Sequence, residues 1–302
     1  MSNQDASVKS ILFALLANFG IAVTKSIAAV ITGSGAMLAE AIHSYADCGN
    51  QGLLFLGLKK MKREPDLEHP LGYGKEIYFW SFIVALILFS MGGLFSAYEG
   101  IHKLSSHEGI KSPAIAIVVL SLSILLEAAS TYGCITQINK IKGKVPLRVW
   151  LKYSRQSELI VVLGEDIAAM LGLVFALIAV ILSAVTGNPV YDAIGSIVIG
   201  VLLIVISFVL GIKVKSLLIG QSADDPTRTA IKLFLEARPE VEQLLNMITF
   251  QMGPQIMVAV KARMKPVDTV EQLVTRINIC EVELRKQFPA IQWVFFEPDI
   301  EK

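Results

Sequence analysis

The stretch AEAIHSYADCGN, residues 39–50, places ionisable side chains inside an otherwise apolar run. Glu40, His43 and Asp47 stand here, and GLLFLGL follows shortly afterwards. Residues four apart lie one above the other on a helix face, so His43 and Asp47 offer a nitrogen and a carboxylate to the same spot. An ionisable group at the centre of a bilayer costs roughly 2.5–3.5 kcal/mol, so such residues are usually functional.

The composition around this stretch is that of a membrane protein. Of 302 residues, 54% are hydrophobic and only 18% are charged, and soluble domains have about 25% charged residues. The net charge of +1 indicates no nucleic-acid partner. Because a helix crosses the hydrocarbon layer in about 20 residues, the sequence predicts a polytopic α-helical protein with six transmembrane helices. They are Ser10–Thr32, Ala36–Leu58, Ile77–Ile101, Ser112–Ile138, Glu158–Thr186 and Val190–Leu218.

Loop charges predict the orientation of these spans in the lipid bilayer. Positively charged loops stay in the cytoplasm. The loops after the second and fourth spans are rich in lysine and arginine, whereas the turns GSG and GNP have neither. Both termini are therefore predicted to be cytoplasmic. The start of the chain does not resemble a cleaved signal, which favours a multi-pass protein of the cell (inner) membrane.

A composition change after Ile219 predicts a second domain. We expect residues 1–219 to form the transmembrane transport domain and residues 220–302 a small cytoplasmic α+β (ferredoxin-like) domain. Its predicted element order is α-β-β-α-β. Asp225 is the expected N-cap of the first helix, with Pro226 at the first helical position. Thr269, with Gln272 three residues later, is the expected cap of the second helix.

The candidate metal ligands are His43 and Asp47 in the second span and Glu165 and Asp166 in the fifth. With about 1.5 Å rise per residue, Asp47 lies roughly 17 Å and Asp166 roughly 18 Å from the outer surface. One imidazole and two or three carboxylates at one level suit zinc, and manganese or iron(II) would accept the same set. The alternative is that His43 and Asp47 bond each other or backbone, and that Glu165 pairs with Lys25 of the first span.

Other polar residues allow weaker hypotheses. Glu127 and Asp192 could line an ion path, although Asp192 could equally cap its own helix after the GNP turn. Glu158 could guide ions inward from the cytoplasmic surface. No phosphate-binding loop, HExxH pair or nucleophile motif is present, so the sequence does not predict an enzyme. A membrane-embedded metalloenzyme and a non-transporting scaffold or signalling protein remain as alternatives.

Two motifs together resemble one transporter family. TGSGAMLAEAIHSYAD, followed by a charged loop containing HPLGYGK (residues 69–75), is similar to the cation diffusion facilitator family over roughly residues 10–300. The resemblance implies six helices, a cytoplasmic α+β domain and export of divalent metal, usually zinc, in exchange for protons by a homodimer. It implies a metal role for His43 and Asp47, and for Asp166 in the fifth helix. No prosthetic group is expected, since the metal is the transported substrate.

The chain departs from the family pattern at two places. The family's fifth-helix motif is HxxxD, but the residue four before Asp166 is Val162, and Glu165 could take the place of the histidine. The C-terminal domain has no histidine, because the last one in the chain is His107. Asp299 and Glu297 could be remnants of a cytoplasmic metal site. We expect that domain to serve mainly in dimerisation.

Overall fold

The computed structural model describes residues 3–106 and 110–301, with residues 3–17 and 106 described by their backbone alone. The chain is mainly helical. The first eight helices are α1 (Asn3–Thr32), α2 (Gly35–Lys60), α3 (Glu76–Ile87), α4 (Phe95–Ser106), α5 (Pro113–Lys142), α6 (Leu147–Tyr153), α7 (Ser157–Thr186) and α8 (Val190–Ile219). A π-helical segment (Leu88–Leu94), called the π segment below, joins α3 to α4.

Four helices in the described part of the chain are long and apolar enough to cross a membrane. They are Glu76–Ser105, which runs through α3, the π segment and α4, and then α5, α7 and α8. These four coincide with the predicted third to sixth spans. Helices α1 and α2 lie where the first two spans were predicted, but the apolar part described in α1 is the shorter Asn18–Thr32. Six crossings therefore stay a prediction.

Glycines let the third long helix of the chain, the continuous Glu76–Ser105, lie directly against α8. A Cβ at Gly93 would stand 3.0 Å from the Ile204 backbone nitrogen, and one at Gly200 would stand 2.5 Å from that of Ala97. Gly100 is equally close to the Ala193 carbonyl, since a Cβ there would lie 2.7 Å from its oxygen. Small residues at such positions let helix backbones approach and pack within a membrane.

Asp192 of α8 holds the amino-terminal end of α2. Its carboxylate accepts hydrogen bonds from Ser34 Oγ at 2.6 Å and from the Gly35 backbone N–H at 2.7 Å, and Lys103 Nζ lies 3.5 Å away. A carboxylate is stabilising at this end of a helix because the first N–H groups are unpaired and carry partial positive charge. Asp192 therefore serves another helix. The expectation that it caps its own helix did not include this contact.

The chain folds into two compact units, and the second contains more than the predicted C-terminal domain. It comprises Lys60–Tyr78, Val145–Ser157 and the chain from Lys215 onwards. The predicted boundary between residues 219 and 220 falls inside this unit. Most of two predicted cytoplasmic loops thus belongs to the same unit as the C-terminal elements.

The C-terminal elements follow the predicted order α-β-β-α-β. They are α9 (Asp225–Glu236), β1 (Val241–Met252), β2 (Gln255–Met264), α10 (Val270–Gln287) and β3 (Ile291–Pro298). The sheet order is β1-β2-β3, with β1 antiparallel and β3 parallel to β2. Alternate residues of β2, from Ile256 to Ala262, are buried in one core with residues of α9 and α10 such as Ile231 and Leu284.

One of the two predicted helix caps is wrong by one residue. Asp224, not Asp225, caps α9, because its side chain accepts from the Thr227 backbone N–H at 3.0 Å. The adjacent aspartates give equally good sequence signals, and only the backbone geometry separates them. The cap at Thr269 is confirmed, with its Oγ1 accepting from the Gln272 N–H at 3.2 Å.

The HPLGYGK loop packs against the β1–β2 hairpin within the second unit. A Cβ at Gly74 would lie only 2.3 Å from the Met252 carbonyl oxygen, so this backbone approach requires glycine. Next to it, Lys75 Nζ lies 4.4 Å from the centre of the Phe250 ring, and Tyr78 Oη donates to the Gly253 carbonyl. Gly74 and Lys75 of the HPLGYGK motif therefore pack against the hairpin.

Asp299, one of the two suggested remnants of a cytoplasmic metal site, is engaged by a lysine. Lys261 Nζ lies 2.6 Å from Asp299 Oδ2, and both side chains are about 29% exposed. The hydrogen bond from Lys261, with two from backbone N–H groups, lowers the pKa of Asp299 to about 2. The ion pair thus already provides this carboxylate with a cation.

The contact of Asp192 with α2 gives a stability prediction. Asp192→Ala leaves Lys103 and the first N–H groups of α2 without this buried carboxylate, so we expect a loss of about 3 kcal/mol in the free energy of unfolding. The measurement is reversible unfolding in mixed detergent micelles. Asp225→Ala is the control, because its 53% exposed side chain makes a surface pair with Arg228 that contributes about 0–1 kcal/mol. Equal stability of the two variants would refute the anchoring role.

Candidate functional site

A small polar cavity lies among α1, α2, α5 and α7. Its volume is about 50 Å³, enough for a few water molecules or one ion with part of its hydration shell. Each of these four helices contributes polar side chains to the lining. The lining consists of Asn18, Ile21, Lys25, Ser44, Asp47, Gln51, Ser123, Leu126, Glu127, Ser130, Val162, Glu165 and Asp166.

Four carboxylates face this cavity from three helices. They are Asp47 of α2, Glu127 of α5, and Glu165 and Asp166 of α7. The depth estimate from the sequence placed Asp47 and Asp166 at one level, and the cavity contains both. Oδ1 of Asp47 and Oδ2 of Asp166 are buried, and no described residue donates a hydrogen bond to either. Buried oxygens in this condition are available to a cation or a proton.

His43 lies behind Asp47 rather than among the lining residues. The ring is 1% exposed, and its Nε2 is 3.5 Å from Asp47 Oδ2. Neither ring nitrogen forms a hydrogen bond with a described residue. Gly92 of the π segment lies beside the ring, since a Cβ there would make an ordinary contact with His43 Nδ1 at 3.7 Å. The pair therefore shares one helix face as predicted, and only the carboxylate reaches the cavity.

Glu165 is held by an amide, which corrects one expectation from the sequence. Asn50 Nδ2 donates to Glu165 Oε1 at 2.5 Å. The alternative pairing of Glu165 with Lys25 is wrong, because Lys25 Nζ lies 3.3 Å from Glu40 Oε2. The sequence showed that Lys25 is the one ionisable residue of its span. It could not show which of several buried acids that lysine would meet.

Three of the four candidate ligands, Asp47, Glu165 and Asp166, surround one space without converging on a point. In the part of the chain that the structure describes, no group of three His, Cys, Asp or Glu side chains has the proximity of a metal site. Val162, which stands at the position of the family's histidine, does line the cavity. That position thus faces the same space with an apolar side chain.

Sequence reasoning gave little weight to several residues of this site. Glu127 was a weaker hypothesis, and Asn50, Gln51 and the serines of α5 were not singled out. Polar residues recurring along an apolar helix are the signal that could have found them: Ser123, Glu127 and Ser130 repeat at spacings of four and three on one face of α5.

The chemistry of this lining suits a cation. Carboxylate and hydroxyl oxygens are the ligands that hard divalent ions prefer, and the nearby imidazole adds the nitrogen that zinc accepts. A single ammonium, that of Lys25, belongs to the same lining. The cavity is therefore acidic overall, with one positive charge built into its wall.

Comparisons with known proteins agree with this arrangement. Residues 11–219 match the family described as cation efflux transmembrane domain. The proton-coupled zinc antiporter SLC30A9, mitochondrial, of Xenopus laevis is 35% identical over 280 residues, which are 92% of this chain and 49% of that protein. Its Homo sapiens counterpart is 32% identical over 281 residues, 92% of this chain and 48% of that protein.

A plant protein and a bacterial protein also match. Metal tolerance protein C4 of Arabidopsis thaliana is 32% identical over 254 residues, covering 83% of this chain and 56% of that protein. Magnetosome protein MamB of Magnetospira sp. is 27% identical over 204 residues, covering 67% of this chain and 64% of that protein. The chain spans about half the length of the SLC30A9 and plant relatives.

The family match covers more than two thirds of the chain and includes every residue that lines the cavity. It agrees with the apolar helices that are long enough to cross a bilayer. The chain is therefore an integral membrane protein that belongs to the cation diffusion facilitator family.

Proposed function

We propose that the protein is a secondary active transporter that exports divalent metal cations, zinc foremost, from the cytoplasm in exchange for protons. The observation that carries the proposal is the cavity lined by Asp47, Glu127, Glu165 and Asp166 inside an apolar helical unit. Four acids around one small space, two of them buried and two partly buried, are costly unless a cation or protons neutralise them. The names of the SLC30A9 relatives, which are proton-coupled zinc antiporters, support the same reading.

The proposed ligand roles follow from the geometry. Asp47 and Asp166 are the core ligands, because each has a buried oxygen without a hydrogen-bond donor among the described residues. His43 and Glu165 tune selectivity. His43 is next to Asp47 and reaches the ion by a side-chain rotation, whereas Glu165 must release its hydrogen bond with Asn50. Metal binding then draws together ligands that are neighbours in the structure.

Proton exchange follows from the ligand chemistry. Carboxylates and imidazole bind metal in their deprotonated forms, so binding releases protons and reprotonation expels the metal. A cavity exposed alternately to the two sides of the membrane therefore exchanges metal for protons. Cytoplasmic exposure near neutral pH favours loading, and exposure to a more acidic compartment favours release.

A manganese or iron(II) transporter is the second candidate. The carboxylate-rich lining and the apolar Val162 at the position of the family's histidine favour it. Oxygen ligands suit manganese and iron(II), whereas zinc gains more from nitrogen. Both candidates share the site residues and the exchange mechanism, so only the metal distinguishes them.

We further propose that the protein has six transmembrane spans, α1 and α2 included, and that both termini lie in the cytoplasm. The proposed location is the cell (inner) membrane. The lysine-rich segments Lys59–Arg63 and Lys140–Arg155 support that orientation. The SLC30A9 relatives are named as mitochondrial, so membrane fractionation of the native cell tests the location.

We also propose a homodimer formed through the C-terminal sheet. On the face of the sheet away from its core, Ile248, Ala259 and Phe295 stand side by side by the strand register. Ile248 is 56% and Phe295 is 55% exposed. Exposed aromatic and aliphatic side chains in one row are typical of the centre of a protein interface.

Transport assays on two variants test the site. Asp47→Ala and Asp166→Ala each remove a proposed core ligand, so we expect a loss of pH-driven zinc uptake into proteoliposomes larger than the roughly 10–100-fold that removing an outer-shell partner costs. Asp268→Asn, an exposed substitution in the second unit, is the control. Uptake should be measured for zinc, manganese, iron(II), cobalt and cadmium, each under an imposed pH gradient.

The outcomes of this assay separate the hypotheses. Uptake retained in one variant would remove that residue from the site. No uptake of any of the five metals by folded wild-type protein would move the protein to the non-transporting scaffold alternative.

Introducing the family's histidine tests the role of position 162. Val162→His adds a nitrogen ligand to the cavity wall, so we expect the ratio of zinc to manganese transport to rise by about tenfold. Val162→Leu, which keeps an apolar side chain, should leave the ratio unchanged. An unchanged ratio in the histidine variant would show that this wall does not contact the metal.

Charge placed on the open sheet face tests the dimer. Ile248→Asp together with Phe295→Asp should convert a dimer to monomers, because two like charges would be buried in each half of the interface. Light scattering on the detergent-solubilised full chain gives the mass. A double variant that stays dimeric would place the interface elsewhere, and Gln292→Asp on the same strand is the control for added charge.

A further inference from the structure

Lys25 is a buried cation in the wall of the proposed transport cavity. Lys25 is 3% exposed, and it lies in the cavity lining with Asp47, Glu127, Glu165 and Asp166. None of the ligand roles proposed above uses it. An ammonium brought so close to a site for cations repels the cargo, so its presence calls for an explanation.

Two residues of α2, one helical turn apart, hold the ammonium. Lys25 Nζ donates to Ser44 Oγ at 2.8 Å and to Glu40 Oε2 at 3.3 Å. Glu40 itself is fully buried. Space for its carboxylate comes from Gly172 of α7, where a Cβ would lie 2.6 Å from Glu40 Oε1. The pair is therefore enclosed on three helices and fixed in place.

The two charges of this pair are placed unequally with respect to the cavity. Lys25 belongs to the lining, whereas Glu40 does not and directs Oε1 towards Gly172. An ion in the cavity therefore meets the positive end of the pair first. The pair is neutral as a whole, yet it makes the cavity less attractive to cations than its four carboxylates would be alone.

We propose that Lys25 sets the metal affinity of the cavity, weakening the binding of every divalent cation so that the cargo is released and abundant ions do not occupy the site. This inference rests on the transport function proposed above. A transport site must bind tightly enough to load and weakly enough to unload. Four acids without a counter-charge would favour the first requirement at the expense of the second.

The electrostatic origin of the effect makes a specific prediction about different metals. Coulomb repulsion depends on charge and distance, so it acts equally on Zn²⁺ and Mg²⁺ at the same place. Removing it should strengthen the binding of both by a similar factor. A residue that merely shaped the ligand geometry would change the ratio of the two affinities instead, because zinc and magnesium require different coordination.

Two variants should shift the affinity in opposite directions. Lys25→Met with Glu40→Gln removes both charges and avoids leaving a buried carboxylate unpaired, so we expect the dissociation constants for Zn²⁺ and Mg²⁺ to fall about tenfold. Glu40→Gln alone keeps the ammonium and removes its counter-charge, so we expect weaker binding than in the wild type. Lys25→Arg retains the charge and should stay close to wild-type affinity.

The measurement is isothermal titration of the full chain in detergent with each metal alone. Heat that persists in Asp47→Ala/Asp166→Ala is subtracted, because it does not come from binding to the two proposed core ligands. Thr24→Val, an exposed position beside Lys25, is the control for preparation. In proteoliposomes the double variant should show a lower KM for zinc together with a lower kcat, since tighter binding slows release.

Three results would overturn the inference. The first is weaker metal binding both in Glu40→Gln and in the double variant Lys25→Met with Glu40→Gln. The second is an unchanged affinity in the double variant, and the third is a changed ratio between its dissociation constants for Zn²⁺ and Mg²⁺. The transport proposal fails separately. If the wild type binds zinc in the titration but takes up no metal in vesicles, the transport function is refuted, and the titration alone decides the role of Lys25.

Discussion

The helical unit depends on how its buried charges on α2 are neutralised. A charge removed from water costs several kcal/mol unless a partner of opposite charge or a set of hydrogen bonds replaces the solvent. Asp192 of α8 supplies that partner for the first turn of α2, and Lys25 of α1 supplies it for Glu40 in the next. Further along, Asp47 keeps an oxygen without a protein donor in the described residues. The same helix is thus fixed at one end and open to an ion in its middle.

Much of the architecture could be predicted from the sequence, because it depends on periodicity and composition. Apolar runs of about 20 residues identified the four helices that the structure shows to be long and apolar enough to cross the membrane, and turn and cap signals identified the order of the C-terminal elements. Both signals are local. The cap at α9 shows their resolution, since two adjacent aspartates compete and the prediction named the wrong one.

Partners across the fold were much harder to predict. Helix spacing showed that His43 and Asp47 share a face, and depth placed Asp166 at the level of Asp47. Neither signal identified the partner of Lys25, which is Glu40 rather than Glu165. Sequence gives the level and the face of a residue, whereas a pairing also depends on how each helix is rotated about its axis. That rotation is set by close contacts such as the one that Gly172 allows for Glu40.

The loop that contains HPLGYGK is part of the second compact unit. Because HPLGYGK packs its Gly74 backbone against the β1–β2 hairpin, the segment that leads into the third long helix is shaped by the C-terminal elements. Charge alone had assigned this loop to the cytoplasm. Within the motif, Gly74 and Lys75 make the hairpin contact, so one short stretch combines a predicted topology signal with packing.

The π segment Leu88–Leu94 is the place where this helix can change in length. A π turn accommodates an additional residue, and such segments occur within otherwise α-helical stretches. Deleting one residue there would restore ordinary α-helical turns while the residues beyond it keep their faces, so Gly100 would still lie against α8. Deleting one residue elsewhere in the same helix would rotate everything beyond it by about 100°. A one-residue gap between related chains is therefore expected at this segment and not in the α-helical turns on either side of it.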